Sequence, residues 1–187
     1  MVSTWYGQIN DATWQQFQKV RLLVCDVDGV FSDGRIYLGN DGEELKAFNT
    51  RDGYGVKSLL AGGIEVAVVT GRQSAIVESR MKALGIGLIY QGVKDKAKAL
   101  EDILQKTHLQ PEDAAAVGDD CPDLPLLTTC GLALTVHDGH PQVQQTAHYV
   151  TQNKGGSGAV REIADLILLS QGKLHQLQSR AVQEQSI

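Results

Sequence analysis

Asp26-Val27-Asp28-Gly29 closes an apolar run, Val20-Arg21-Leu22-Leu23-Val24-Cys25, in a chain of 187 residues. Two carboxylates and a glycine are poor core material, and they fall where open α/β sheets hold ligands, beyond the carboxyl ends of the strands. An aspartate there can attack a phosphoryl group if a cation offsets the repulsion between the two anions. Three more polar signals follow later apolar runs: Thr70-Gly71-Arg72, then Lys96 at the start of a helix, then Gly118-Asp119-Asp120 with Asp123 beyond. Singly, each has an ordinary structural explanation as a cap, a turn or a solvated side chain. In a parallel sheet all four converge on one edge, and that convergence carries the reading.

The chemistry divides as follows. Asp26 is the expected nucleophile and forms an aspartyl-phosphate; Asp28 is the general acid for the leaving alkoxide and then the base for water. Asp26 and Asp119 offer carboxylate oxygens to Mg²⁺, and the backbone carbonyl of Asp28 completes a modest ligand set that suits this ion. Thr70 donates to a phosphoryl oxygen, and Lys96 supplies a point charge to the same group. Asp120 or Asp123 orients Lys96 or a water of the ion. Arg72, beside Thr70, is placed either to meet an anionic substrate or to form a surface ion pair, and Arg51 opens a helix whose N–H groups favour anions.

The elements that must hold these groups are legible from periodicity. Asn10 or Asp11 caps a short helix that buries Trp14 and Phe17. A strand near 20–27 precedes two short strand-like runs, Arg35–Leu38 and Glu43–Phe48, around Gly39-Asn40-Asp41-Gly42, which is a hairpin signal. Beyond it, helices near 52–61, around Val77–Leu84, around Leu100–Leu104, around Leu124–Leu127 and over 159–170 alternate with strands at 64–69, 88–90, 114–117, 132–136 and 148–150. Such alternation predicts an α/β fold: a three-layer, Rossmann-like parallel sheet with an inserted β-hairpin near 35–48 and no large cap domain. The whole chain, 1–187, reads as one domain, with a flexible tail from about 171.

Composition narrows the function. A net charge of −5 with no basic block argues against nucleic acid. No apolar stretch reaches membrane-spanning length, and no secretory signal is visible. Cys25, Cys121 and Cys130 are odd in number and scattered, so a disulfide framework or zinc site is not expected and a reducing cytoplasm is. Cys25 precedes Asp26 on a strand and should face away from it, buried and inert. The five histidines show no ligand spacing. Gly155-Gly156-Ser157-Gly158 lacks the Gly-Lys-Ser/Thr ending of a P-loop and reads as a flexible connection or the hinge of a lid-like tail.

The set Asp26-x-Asp28-Gly29, Thr70, Lys96 and Gly118-Asp119-Asp120-x-x-Asp123 resembles the haloacid dehalogenase superfamily, and its second aspartate resembles the phosphoryl-transfer branch. Asp26–Gly34, Phe48–Gly53 and Gly155–Glu162 resemble, within it, the phosphatases that act on phosphorylated sugar acids; the similarity runs over roughly 20–174. The resemblance implies a Mg²⁺-dependent hydrolase, a cytoplasmic homotetramer in which inserted hairpins meet, and a neighbouring subunit or tail that closes each site. It implies an eight-carbon sugar-acid phosphate as substrate, on the route to lipopolysaccharide, and a binding set of Asp28, Asn49, Thr50, Arg51, Asp52, Gly53, Lys57, Arg72, Arg80 and Lys96. Arg80, two turns into a helix, has no local argument and would act across a subunit boundary. Two alternatives stay open: a nine-carbon, sialic-acid-like substrate on the same chassis, and a receiver-type phosphoacceptor module, which also gathers acids, a Thr and a Lys on a parallel sheet.

Overall fold

The computed structural model describes residues 1–177 and residue 179. The chain opens with a small antiparallel ribbon, β1 (Val2–Thr4) and β2 (Gly7–Ile9). Helix α1 (Asp11–Lys19) follows, and the Asn10 side chain caps it by accepting the Thr13 N–H at 2.8 Å. Strand β3 (Leu22–Cys25) is buried along its length, as a central parallel strand must be. The predicted hairpin is β4 (Tyr37–Leu38) and β5 (Glu44–Leu45), only two residue pairs long. Then come α2 (Thr50–Ala61), β6 (Glu65–Val69), α3 (Ala75–Ala83), β7 (Leu88–Tyr90) and α4 (Lys96–Thr107). The chain finishes with β8 (Ala114–Gly118), α5 (Leu124–Thr129), β9 (Leu132–Thr135), α6 (Pro141–Thr146), β10 (Tyr149–Val150) and α7 (Ala159–Ser170).

The central sheet is wholly parallel, in the order β10-β9-β8-β3-β6-β7. From β3 the chain builds outward through β6 and β7, then returns to the other side of β3 for β8, β9 and β10. The order therefore reverses at β3 and β8, which is where doubly wound folds open a crevice. Cys25 is level with Val68 on one side and Val117 on the other. That register brings the residues after β3, β6 and β8 out at the same edge.

Alternation along the strands makes two cores. Leu23, Cys25, Val66 and Val68 pack with Phe17 of α1, Leu59 of α2, Met81 of α3 and Ile163 of α7. Leu22, Val24, Ala67 and Val69 pack on the other face with Leu100 and Ile103 of α4, Leu126 of α5 and Val143 of α6. Ala114-Ala115-Ala116 has little strand propensity of its own; its place between β3 and β9 decides it.

Two expectations are corrected. Gly155-Gly156-Ser157-Gly158 is neither a loose connection nor a hinge: Gly155 is buried, and a Cβ there would lie 1.7 Å from the Gly29 carbonyl oxygen. Gly155 and Gly156 are required by close packing against the turn after β3, where the Gly156 N–H also donates to the Val30 carbonyl at 2.9 Å. The tail is anchored at its start. Leu174 is buried, Gln171 Nε2 donates to the Val20 carbonyl at 2.7 Å, and Lys173 Nζ donates to the Gly62 carbonyl at 2.9 Å. The rest of that expected tail, 178 and 180–187, lies outside the described residues. Helix α6 was not anticipated, although Pro141 in its first turn behind a polar residue is a start signal.

Candidate active site

Beyond the strand ends lies a cavity of ≈ 690 Å³ whose wall includes Asp26, Asp28, Thr70, Arg72, Lys96, Asp119, Asp120 and Asp123. They arrive from four parts of the fold. Asp26 continues β3, and its N–H donates to the Val117 carbonyl at 3.0 Å, so the sheet fixes its backbone. Thr70 follows β6 and is pinned on both sides, its N–H donating to the Tyr90 carbonyl and its carbonyl accepting the Val93 N–H. Lys96 is the first residue of α4, behind the Asp95 cap. Asp119 follows β8.

Lys96 is the hub. Its ammonium donates to Asp26 at 2.7 Å and to Asp123 at 2.5 Å, with only 8% of its side chain exposed. The second Asp123 oxygen accepts the N–H groups of Asp119 at 3.1 Å and Asp120 at 3.3 Å. Both Asp123 oxygens are thereby committed, and Asp123 is the residue that orients Lys96. Asp120 instead accepts the Cys121 N–H at 2.7 Å.

Asp26, Asp119 and Asp123 bring ligand oxygens within 4.8 Å of one another. With Asp123 occupied, Asp26 and Asp119 are the carboxylates available to a cation. Gly29 makes room for this: its φ is +90°, and a Cβ would lie 2.1 Å from Asp119 Oδ2. Burial, with the charges of Asp26 and Asp123, pushes the Asp119 carboxyl up to about 7. Burial and Asp123 push Asp26 up to about 6 against the pull of Lys96. Burial opposes the Lys96 charge, but Asp26 and Asp123 outweigh it and raise its pKa. An all-oxygen pair that resists ionisation for want of positive charge fits a hard divalent cation.

Asp28 is held differently. Lys46, one residue beyond β5 on the arm that returns toward α2, donates to its carboxylate, and only 1% of the Lys46 side chain is exposed. Arg72 Nε stands 3.8 Å from the other Asp28 oxygen, and its Nη2 donates to Glu44 at 3.2 Å. Glu44 also faces Lys46 at 3.4 Å. Lys46 and Glu44 were missed from sequence. Their signal was weak: both sit inside a Glu-Glu-Leu-Lys run that reads as a solvated strand.

The remaining members of the implied binding set do not line this cavity. Asn49 caps α2, and the exposed Arg51 donates to the Ser157 carbonyl at 3.0 Å. The Asp52 carboxylate is buried and accepts the N–H groups of Gly158 at 3.2 Å and Arg161 at 2.9 Å, so in this chain it ties α2 to the start of α7. Thr50 and Lys57 are exposed on α2. Gly53 leaves room for Arg80, whose guanidinium would stand 2.6 Å from a Cβ there. These residues lie outside the carboxylate cavity, Arg51 and Asp52 facing the start of α7 and Arg80 lying on α3 against Gly53.

A family model described as haloacid dehalogenase-like hydrolase matches residues 88–163. The chain is 51% identical over 173 residues to the 3-deoxy-D-manno-octulosonate 8-phosphate phosphatase of Yersinia pestis, covering 92% of each. A crystal structure of the Yersinia pestis phosphatase superposes with a TM-score of 0.92 over 93% of this chain and 94% of that one. The Escherichia coli K12 phosphatase of that name is 48% identical over 181 residues, covering 97% of this chain and 96% of its own length. The Moraxella catarrhalis phosphatase, solved in complex with magnesium ion, phosphate ion and KDO, is 39% identical, with a TM-score of 0.88 over 90% and 97% of the two chains. The chain belongs to the haloacid dehalogenase-like hydrolases and, within them, to the family of the 3-deoxy-D-manno-octulosonate 8-phosphate phosphatases.

Proposed function

We propose that this protein releases phosphate from 3-deoxy-D-manno-octulosonate 8-phosphate, with Mg²⁺ as its cation, in lipopolysaccharide precursor synthesis. The observation that carries the reading is the gathering of Asp26, Lys96, Asp119 and Asp123 at the end of β3. The names of the relatives and the magnesium, phosphate and KDO of the Moraxella complex support the substrate and the ion.

Asp26 attacks phosphorus, its orientation set by β3 and by the ammonium of Lys96. Lys96 and the Thr70 hydroxyl face the phosphoryl oxygens and offset their charge. Asp28 gives its proton to the departing sugar alkoxide, then takes one from the water that opens the aspartyl-phosphate. Asp26, Asp119 and the carbonyl of Asp28 would hold Mg²⁺, which supplies the positive charge that lets a carboxylate approach a phosphate. Arg72 is the cation best placed for the sugar-acid carboxylate, exchanging Glu44 for it.

The assembly reading is a tetramer joined through the hairpins, in a reducing cytoplasm. Ile36, Leu38 and Leu45 are 50%, 71% and 54% exposed on a hairpin too short to stand alone, which supports burial against another copy. Association of this kind would bring Arg80 and the Asn49–Lys57 cluster to a neighbour's cavity.

The test is phosphate release with Mg²⁺ from the eight-carbon substrate beside its nine-carbon analogue, for the wild type and Asp26→Asn. Preference for the eight-carbon compound and loss of turnover in the variant are expected. Full turnover by Asp26→Asn would remove the nucleophile, and preference for the nine-carbon compound would remove the substrate. A long-lived phosphoenzyme without turnover would instead identify a phosphoacceptor module.

A further inference from the structure

The turn that carries Asp119 holds a second set of donor atoms that the reaction does not use. Asp120, Cys121 and His140 each present a ligand atom within 4.8 Å of the others. Asp120 and Cys121 are consecutive, whereas His140 caps α6, 19 positions beyond Cys121. No ligand spacing in the sequence connects them; the backbone does. The His140 N–H donates to the Asp119 carbonyl at 2.7 Å. Gly139 packs so closely beneath it that a Cβ would lie 2.5 Å from Thr135 Oγ1.

Cys121 Sγ and His140 Nδ1 stand 3.7 Å apart. Zinc bonds of about 2.3 Å to sulfur and about 2.0 Å to nitrogen, at a tetrahedral angle, set those atoms about 3.5 Å apart. The pair is thus close to the edge of a zinc tetrahedron, and the Asp120 carboxylate supplies a third corner. Among the described residues, His140 Nδ1 accepts the Gln142 N–H at 3.2 Å, a bond an ion would displace, and Cys121 Sγ has the His140 contact and one of 3.6 Å to Gln142 Oε1.

We propose that Asp120, Cys121 and His140 bind a soft divalent cation of the zinc type, at the rim of the catalytic cavity and distinct from the oxygen site of Asp26 and Asp119. The donor set selects the ion. Thiolate and imidazole favour zinc over magnesium, which prefers oxygen and keeps its waters. Cys121 lines the cavity, so an ion there sits beside the substrate's path. It also ties the residues following Asp119 to the residue that holds the Asp119 carbonyl, which restricts that turn and slows turnover. The inhibitory consequence rests on the phosphatase reading; the binding site does not.

The experiment keeps the full chain in saturating Mg²⁺ and dialyses it against Zn²⁺. Retention of one further metal ion per chain is expected, and Co²⁺ in its place should show the near-ultraviolet thiolate-to-cobalt charge-transfer band. Cys121→Ser should abolish the band and weaken Zn²⁺ retention about tenfold or more. His140→Asn, which keeps a capping side chain for α6, should weaken retention similarly. In both variants the Zn²⁺ concentration that halves phosphate release should rise by the same factor. No retained zinc, or retention and a cobalt band unchanged in both variants, overturns the site. Retention lost in the variants with turnover indifferent to zinc overturns the inhibitory part alone.

Discussion

The strand-end site and the inserted hairpin are built by opposite means. Asp26, Thr70, Lys96 and Asp123 are buried, and each is fixed by the sheet, a helix start or a paired charge. The hairpin has two residue pairs, exposes Leu38 and Leu45, and touches the site through Lys46, which is buried on Asp28, and Glu44, which accepts from Arg72. Chemistry that must not vary is carried by the sheet, where packing leaves the groups no alternative positions. On the proposed reading, recognition and closure fall to the hairpin, a short appendage whose apolar side chains Leu38 and Leu45 are exposed in a single chain. Lys46 on Asp28 joins the two regions, and it bears on the proposed acid and base rather than on the proposed nucleophile.

The sharpest way to break the comparison is at Asp26 and Lys96. Asp26→Asn should cost about 10⁴-fold in turnover, by analogy with loss of other nucleophiles, while leaving the oligomer's mass unchanged. Lys96→Met should lower turnover by about 10²–10³-fold and also destabilise the metal-free fold by about 3 kcal/mol, because it leaves Asp26 and Asp123 without their buried partner. Thermal melts with and without Mg²⁺ check the second claim, and a fully stable Lys96→Met protein in EDTA would contradict it. Lys46→Met should be milder, about 10–100-fold in kcat with little change in KM, since it displaces an acid rather than removing a reacting group.

How much of this was legible in the sequence follows the same division. The apolar run ending in Asp26 showed β3, because a parallel core strand has few other ways to be written; the alanines of β8 gave only a weak strand signal, and the Gly-Asp-Asp after them marked the strand end. Lys96 was found because its position after β7 repeats the strand-end pattern. Asp123 stayed tied with Asp120 until geometry showed which carboxylate meets the lysine; adjacent acids in one turn differ only in direction. Lys46 was missed because two-residue strands leave no alternation to read. Gly155 was misread because a glycine needed for close packing looks the same, in one sequence, as a glycine needed for freedom. Asp52 resembled a ligand contact, yet its partners are N–H groups at the far end of the chain, which no local pattern reveals.

Acidity gives a test specific to the strand-end region. Burial and neighbouring carboxylates push Asp119 up to about 7 and Asp26 up to about 6 in the folded chain, above the about 3.9 of an unfolded aspartate. Between those limits the folded state binds more protons than the unfolded one, so stability of the metal-free protein should fall as pH rises from about 4 toward 7. A cation bound to the ionised carboxylates reverses the penalty. The stabilisation by Mg²⁺ should therefore grow across the same interval, and denaturant melts at several pH values read it directly. A Mg²⁺ effect that is flat with pH would mean that these two acids are not its ligands.

The smallest effect on chemistry, and the clearest on assembly, should come from the hairpin. Leu38→Glu with Leu45→Glu places charge on side chains that are 71% and 54% exposed in one chain, so a lone subunit should tolerate both within about 0.5 kcal/mol. If the hairpin is a subunit contact, the same pair buries two carboxylates against apolar surface, and the particle should dissociate in sedimentation or light-scattering measurements. KM for the sugar-acid phosphate should then rise, because Arg80 and the base of α2 no longer reach a neighbour's cavity. Cleavage of a small aryl phosphate should hardly change, because Asp26, Lys96 and Asp119 lie within one chain. An unchanged mass, or equal losses on both substrates, would show that the hairpin serves its own subunit alone and that the division between the two regions is drawn in the wrong place.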